Sequence, residues 1–210
     1  MVLCYSIESV EWMTGYEKHN EALRSFIAIE LPGSIQSALS DIQRDFKKSD
    51  VDVRWVRPEN IHLTLKFLGT IEESMVRKIT DVLEKISVNY GTFTMTVSGV
   101  GVFPNVRAPR VVWVGTKESD MLIGLQRDVE EGLESLGFER EKRKYTAHLT
   151  LGRVKSSRGK GALMEKAETY RERDFGSFDV RAISLMKSDL GPAGAKYTRV
   201  AEFRLSRGGL

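Results

Sequence analysis

Apolar and polar residues alternate at two different periods along this chain, and the changes of period mark its elements. Ser25-Phe26-Ile27-Ala28-Ile29-Glu30-Leu31 is dense in apolar residues and stops at Pro32, which predicts a strand. From Ser34, a good N-cap, to about residue 48 the apolar positions Ile35, Leu39, Ile42 and Phe46 fall at intervals of four, three and four, which is one face of a helix. Residues 51–56 predict a second strand, Pro58-Glu59-Asn60 a turn, and residues 61–68 a third strand closed by Gly69. Residues 72–87 predict a helix along Val76, Ile79, Val82, Leu83 and Ile86. The second half repeats this content. Strands are expected over 92–102 and 110–115, a helix over 120–136 capped by Gly137, and a strand over 147–151 closed by Gly152. A weaker helix runs to about residue 171, and residues 178–186 and 196–205 form a hairpin around Gly191-Pro192-Ala193-Gly194. Several joins are too short to hold a crossover helix, so antiparallel neighbours are expected.

Two of these strands carry the same phrase, His62-Leu63-Thr64-Leu65 and His148-Leu149-Thr150-Leu151. The chain has only 3 histidines, so chance is a poor account of two of them heading one Leu-Thr-Leu triplet. A period of two sends His and Thr to one face and both leucines to the other. The leucines then anchor each strand in a core, while an imidazole and a hydroxyl about 7 Å apart along the strand look into shared space. The interval between the motifs is too long for a solenoid repeat and suits one lobe duplicated.

Two His and two Thr suit acid–base chemistry on a group that carries oxyanions. Imidazole titrates near pH ~6.5, so one ring can be neutral while its opposite number is protonated. The neutral ring takes a proton from water, the protonated ring gives one to a leaving alkoxide, and the hydroxyls donate to non-bridging oxygens of a phosphodiester. Hydroxyls alone neutralise charge incompletely, so one or two cations are expected nearby. Lys66 shares the face of His62 and Thr64 by alternation and is one candidate. Glu59, Asp52 or another carboxylate is expected to orient a histidine, with nothing to choose among them. A half-buried strand with a hydrogen-bonded His explains one copy of the motif equally well, and the second copy tips the balance. A metal site would have two histidine ligands and, beyond them, only His19. There is no His-x-x-x-His and no cysteine pair, so chemistry without a metal is expected. No Gly-x-Ser-x-Gly elbow supports a serine hydrolase, and Gly99-Val100-Gly101 sits inside a strand rather than before a helix, unlike a phosphate loop.

Composition narrows the class further. With 41% apolar and 29% charged residues, and 18 Gly and 5 Pro in 210 residues, the chain belongs with soluble globular proteins. The longest uncharged run, residues 86–106, is long enough to span a bilayer but contains Asn, Thr, Gly and Pro and alternates at period two, so it reads as strand. The single cysteine, Cys4, excludes an intramolecular disulfide. With no charged-then-apolar leader, the expected location is the cytoplasm. Residues 1–22 lack periodicity and are expected to be an N-terminal extension to a single domain over 23–210. The net charge of +3 is compatible with a polyanionic partner. Arg140, Lys142, Arg143 and Lys144, just ahead of the second motif, are the basic cluster best placed for one, whereas Arg107 and Arg110 read as solvated surface.

These residues resemble the 2H phosphoesterases and, within them, the LigT-like RNA 2′,3′-cyclic phosphodiesterases, also called 2′-5′ RNA ligases. The resemblance rests on the two His-x-Thr-x motifs and on Arg24-Ser25-Phe26-Ile27-Ala28-Ile29, Arg54-Trp55-Val56-Arg57-Pro58-Glu59-Asn60 and Phe67-Leu68-Gly69. Phe103-Pro104 and Ser188-Asp189-Leu190, with Gly194 and Tyr197, extend it, so that it covers about residues 23–205. It implies an α/β fold of the α+β kind, bilobal, with two pseudo-symmetric lobes of mainly antiparallel sheet, helices outside and an active-site groove between them. It also implies hydrolysis of RNA 2′,3′-cyclic phosphate ends to 2′-phosphate with no metal or cofactor, by a monomer without membrane association, and 2′-5′ ligation as the minor direction. Carried onto this chain, it makes His62 the proton donor, His148 the proton acceptor, and Thr64 and Thr150 the phosphate-binding residues. Where the family often has Phe-x-Pro, this chain has Tyr145-Thr146-Ala147, and Tyr145 is expected to stack on a base. Arg153 matches a family arginine, although alternation turns it away from His148 unless Gly152 breaks the strand. Two rivals keep the scaffold: a phosphodiesterase for a small cyclic phosphate such as ADP-ribose 1″,2″-cyclic phosphate, and a non-catalytic nucleotide- or RNA-binding module.

Overall fold

Short joins and alternating strands produce a sheet in which every pairing between the strands named here is antiparallel. The structure, a computed structural model, describes residues 22–117, 119–192 and 194–206. The expected extension over 1–22, with Cys4 and His19, lies outside the described residues except for Ala22, which opens the first strand.

In chain order the first half runs β1 (Ala22–Glu30), α1 (Gly33–Lys47), β2 (Val53–Trp55), a 3₁₀ turn at Pro58–Asn60, β3 (His62–Glu72) and α2 (Glu73–Ser87). The second runs β4 (Phe93–Phe103), β5 (Val111–Thr116), α3 (Asp120–Glu134), β6 (His148–Val154), α4 (Lys160–Thr169), β7 (Asp174–Val180), β8 (Ala182–Gly191) and β9 (Gly194–Arg204). The sheet order is β7-β4-β5-β6-β3-β1-β8-β9. The two expected sheets are therefore one continuous sheet whose halves, β6-β5-β4-β7 and β3-β1-β8-β9, meet at a single residue pair, Leu63 opposite Leu149. Beyond that pair β3 leaves β6, and β2 takes over the vacated edge, pairing Trp55 with Gly152 and Val53 with Val154.

The helices lie on one face, where the core forms, so the architecture is α+β. α1 buries Ile35, Leu39, Ile42 and Phe46, and α3 buries Leu122, Leu125, Val129 and Leu133, as their spacing predicts. Each of these two helices crosses the junction: α1 follows β1 but packs on β7, and α3 follows β5 but packs on β3 and α2. The halves are tied by this exchange more than by the one strand pair that joins them. Gly132 makes the α2–α3 approach possible, because a Cβ there would stand 2.8 Å from Ile86 Cδ1 and 3.0 Å from Val82 Cγ1. Among the described residues no helix is long and apolar enough to cross a membrane, and β4 occupies much of the uncharged run over 86–106.

Several boundaries differ from expectation for identifiable reasons. α1 begins at Gly33 with Pro32 as its extended N-cap, so Ser34 is inside the first turn and caps nothing. The strands expected to stop at Gly69 and Gly152 continue through them, because Gly69 adopts φ 71° within the ladder and Gly152 still pairs with both β5 and β2. The single strand expected over 178–186 is the end of β7 and the start of β8, divided at exposed Arg181; β7 pairs with β4. The β8–β9 hairpin forms as expected, although Ala193 of its turn lies outside the described residues.

Both motif strands carry an extra residue just past the threonine, and β3 carries a second at Leu68, between the Phe67–Phe26 and Gly69–Ser25 pairs. Ala28 pairs with Thr64 and Ile27 with Lys66, which leaves Leu65 without a partner on β1; Trp113 pairs with Thr150 and Val112 with Gly152, which leaves Leu151 without one on β5. A buried glutamine meets each bulge carbonyl. Gln43 of α1 donates to Leu151 O at 2.9 Å and to Val56 O at 2.8 Å, and Gln126 of α3 donates to Leu65 O at 3.4 Å. Gln43→Leu keeps the volume and adds apolar surface, yet it removes both donors. It is expected to cost about 1–3 kcal/mol in urea denaturation, opposite in sign to its hydrophobicity.

Candidate active site

The Leu63–Leu149 pair sits with both side chains in the core, so His62 and Thr64 on one strand and His148 and Thr150 on the other emerge on the open face around it. The antiparallel sense sets His62 toward Thr150 and His148 toward Thr64, with a pseudo-twofold axis through the leucines. Neither threonine hydroxyl has a hydrogen-bond partner among the described residues. The two imidazoles are near enough for charge on His148 to oppose charging of His62.

Backbone carbonyls, and neither Glu59 nor Asp52, orient the rings. His62 Nδ1 lies 2.8 Å from Asn60 O, and His148 Nδ1 lies 2.7 Å from Thr146 O. A carbonyl only accepts, so in both rings Nδ1 carries the proton and Nε2 is left for chemistry. The Asn60 side chain is itself anchored, donating to Ala195 O at 2.8 Å. Asp52 accepts from Ser156 Oγ at 2.6 Å, away from either ring.

Each ring is walled by aromatics. His62 stacks on Phe26 at 4.6 Å between centroids and meets Tyr197 edge-on at 5.1 Å. His148 meets Phe103 edge-on at 5.0 Å, and Phe103 stacks on Trp113 at 5.0 Å. Burial pushes the His62 pKa below its ordinary value; the Asn60 carbonyl and the Glu30 carboxylate resist that shift, and charge on His148 adds to it.

The bulges change which residues accompany the motifs. After Leu65 the alternation inverts, so Lys66 turns into the core rather than sharing the face of His62 and Thr64. It is 5% exposed, pairs with the Glu130 carboxylate and donates to Glu139 O at 2.8 Å. The expectation of Lys66 as a cation at the site therefore fails. The same inversion after Leu151 brings Arg153 onto the site face: it pairs with Val111, which shares a face with Trp113, the partner of Thr150. Arg153 is exposed there. Phe67 holds the equivalent place after the first motif, 72% exposed and 6.2 Å from Phe26. Tyr145 does not offer its ring as a stacking surface. The ring packs against the core, the hydroxyl donates to Thr64 O at 3.0 Å, and burial pushes its pKa up. In the basic cluster, Arg140 pairs with Glu131 and Glu134 and Arg143 with Glu141, whereas Lys142 and Lys144 are exposed.

Sequence reasoning did not single out Glu30, Phe67, Arg199 or Trp113 as parts of this site. Their signal is cross-strand rather than local, since Glu30 pairs with His62 and Trp113 with Thr150. Among the described residues no three His, Cys, Asp or Glu side chains gather into a group that could hold a metal ion.

The sequence matches the LigT-like phosphoesterase family twice in succession, over residues 29–113 and 114–197, and each match contains one His-x-Thr motif. The chain belongs to that family. Among relatives of this LigT-like phosphoesterase, the RNA 2′,3′-cyclic phosphodiesterase of Methanothermobacter thermautotrophicus is 39% identical over 183 residues, covering 87% of this chain and 99% of the relative. The protein of the same name from Methanocaldococcus jannaschii is 34% identical over 181 residues, covering 86% and 100%. The crystal structure of TT0787 of Thermus thermophilus superposes with a TM-score of 0.75 at 27% identity, over 89% of this chain and 99% of that one. Escherichia coli LigT in its apo form shares the fold with a TM-score of 0.70 at 24% identity, over 89% and 99%.

Lys66→Ala in this LigT-like phosphoesterase leaves the Glu130 carboxylate buried without its cation. It is expected to destabilise the protein by about 3–5 kcal/mol in urea denaturation.

Proposed function

We propose that this LigT-like phosphoesterase hydrolyses RNA 2′,3′-cyclic phosphate ends to 2′-phosphates by acid–base catalysis at His62 and His148. The observation that carries this reading is the pair of imidazoles, each fixed through Nδ1 by an upstream carbonyl, on either side of the one strand pair that joins the two halves. The names of the relatives support the substrate class.

In this mechanism the cyclic phosphate lies between the motifs, with the Thr64 and Thr150 hydroxyls donating to its non-bridging oxygens. His148 Nε2 takes a proton from water as the water oxygen bonds to phosphorus, and the bond from phosphorus to O3′ breaks in line. His62 Nε2 gives its proton to O3′, leaving a 3′-hydroxyl and a 2′-phosphate. The rings end in exchanged protonation states, and the same sequence with a 5′-hydroxyl in place of water makes a 2′-5′ linkage, the bond from phosphorus to O3′ again being the one that breaks. Hydrolysis dominates because water is abundant and RNA ends are not. Phe67 and Arg153, at equivalent places beyond the two motifs, supply an aromatic face and a guanidinium for stacking the terminal base.

An oligonucleotide ending in 2′,3′-cyclic phosphate, incubated in EDTA and read by mass spectrometry, should gain one water and end in 2′-phosphate. A 3′-phosphate product, or turnover that waits for a divalent metal, would overturn the proposal. His62→Ala and His148→Ala should each lower kcat/KM by about 10²- to 10⁴-fold without changing Tm. Phe67→Ala should weaken oligonucleotide binding by about 1–3 kcal/mol.

A further inference from the structure

The two halves of the site match in backbone and differ in charge. Opposite His62, β1 supplies Glu30; at the equivalent place opposite His148, β5 supplies Gly115. Glu30 is tightly held. Its Oε1 accepts from Ser184 Oγ at 2.6 Å and from Arg199 Nε at 2.7 Å, and its Oε2 accepts from Arg199 Nη2 at 2.9 Å. The remaining guanidinium nitrogen, Arg199 Nη1, donates to Glu202 at 2.8 Å. Burial works against the Glu30 carboxylate, but these hydrogen bonds and the guanidinium charge outweigh it and hold its pKa below the usual carboxylate range. Arg204 lies 3.6 Å from Glu202, so two carboxylates and two guanidinium groups balance, and Glu30 is the member of the cluster that pairs across the strands with His62.

A cavity of about 400 Å³ opens beside this cluster, lined in part by Glu30, Ser184, Arg199, Glu202, Asp179 and Arg181. It is poorly suited to an anion, because Arg199 is engaged by Glu30 and Glu202, and Arg181 pairs with Asp179. Glu30 therefore acts on the site through its field and not by binding phosphate.

We propose that Glu30, clamped by Arg199 and Ser184, is the positioning residue that makes the two histidines chemically different, favouring the proton on His62 and leaving His148, opposite Gly115, to act as the base. This rests on the two-histidine reading above. The need for such a residue follows from what faces His62. Phe26 of β1 and the Tyr197 ring of β9 exclude water from it, and His148 of β6 repels its charge. Glu30 of β1, with Arg199 and Glu202 behind it on β9, and the Asn60 carbonyl favour the charged ring. The carbonyl has its counterpart at Thr146, so it cannot distinguish the rings. Glu30 has no counterpart.

The test is Glu30→Gln, which keeps an oxygen acceptor for Arg199 and Ser184 and removes the charge. In an NMR titration of the ligand-free protein, the His62 pKa is expected to fall below its wild-type value while that of His148 moves less. In the pH profile of kcat/KM, activity should drop on the order of three- to tenfold near pH 8 and stay within about twofold of wild type near pH 5.5. Glu202→Gln, which removes the carboxylate behind Arg199 and leaves Glu30 in place, should shift both readouts the same way by less. An unchanged His62 titration, or a loss of activity uniform across pH, would overturn the proposal and reduce Glu30 to a brace. A wild-type protein that turns over no cyclic phosphate would sink the two-histidine reading instead, and the titration, which needs no turnover, would still report on Glu30.

Discussion

The extra residue in each motif strand is the constraint on which this site depends. Strict alternation after Thr64 would aim Lys66 at the open face, and strict alternation after Thr150 would drive Arg153 into the core. The bulges at Leu65 and Leu151 reverse both. One cation becomes a buried anchor and another becomes available to the groove. A bulge in a buried strand disturbs the ladder, and here each bulge carbonyl is met by a glutamine from the helix that crosses the junction, Gln43 for Leu151 and Gln126 for Leu65. The exchange of helices between halves and the geometry of the catalytic strands are thus parts of one arrangement.

This explains which features were legible in the sequence. Helical spacing at Ile35, Leu39, Ile42 and Phe46 and the repeated His-Leu-Thr-Leu are local patterns, and they located α1 and the two strands that carry the motif. The bulges are not local. Nothing in Thr64-Leu65-Lys66 marks a change of face, because it is the register against β1 that shows Leu65 to be the additional residue. Tyr145 misled for a related reason: an aromatic before a catalytic strand resembles a stacking residue until its hydroxyl is found on Thr64 O. Gln43 and Gln126 did carry a local signal that went unused. Each is a polar residue beside the apolar stripe of its helix, and a buried amide is retained when a backbone group requires it.

Duplication supplies two equivalent histidines, whereas the proposed reaction needs an acid and a base. The backbone of the two halves has stayed equivalent, down to the bulge and the carbonyl that fixes each Nδ1. Differentiation has come through residues that pair across the strands. Phe26 and Tyr197 enclose His62, and Phe103 and Trp113 back His148. The room for Trp113 depends on Gly101, where a Cβ would stand 2.3 Å from the indole ring. The buried Trp113 Nε1 has no hydrogen-bond partner among the described residues, and the indole gives this wall its apolar face.

The proposed proton transfers demand that two rings on different strands hold their separation to a fraction of an ångström. A junction of one residue pair would not do this alone. The stretch leading into His148 is fastened to the first half by two ties: Tyr145 to the carbonyl of Thr64, and the Lys66–Glu130 pair to Glu139 O and the Glu141 amide. A buried ion pair adds little net stability once desolvation is counted, but it tolerates few alternative geometries, and that makes it suited to fixing one loop against one strand. The lysine that strict alternation would have placed on the open face thus acts one layer below it, holding the segment that leads into the second histidine.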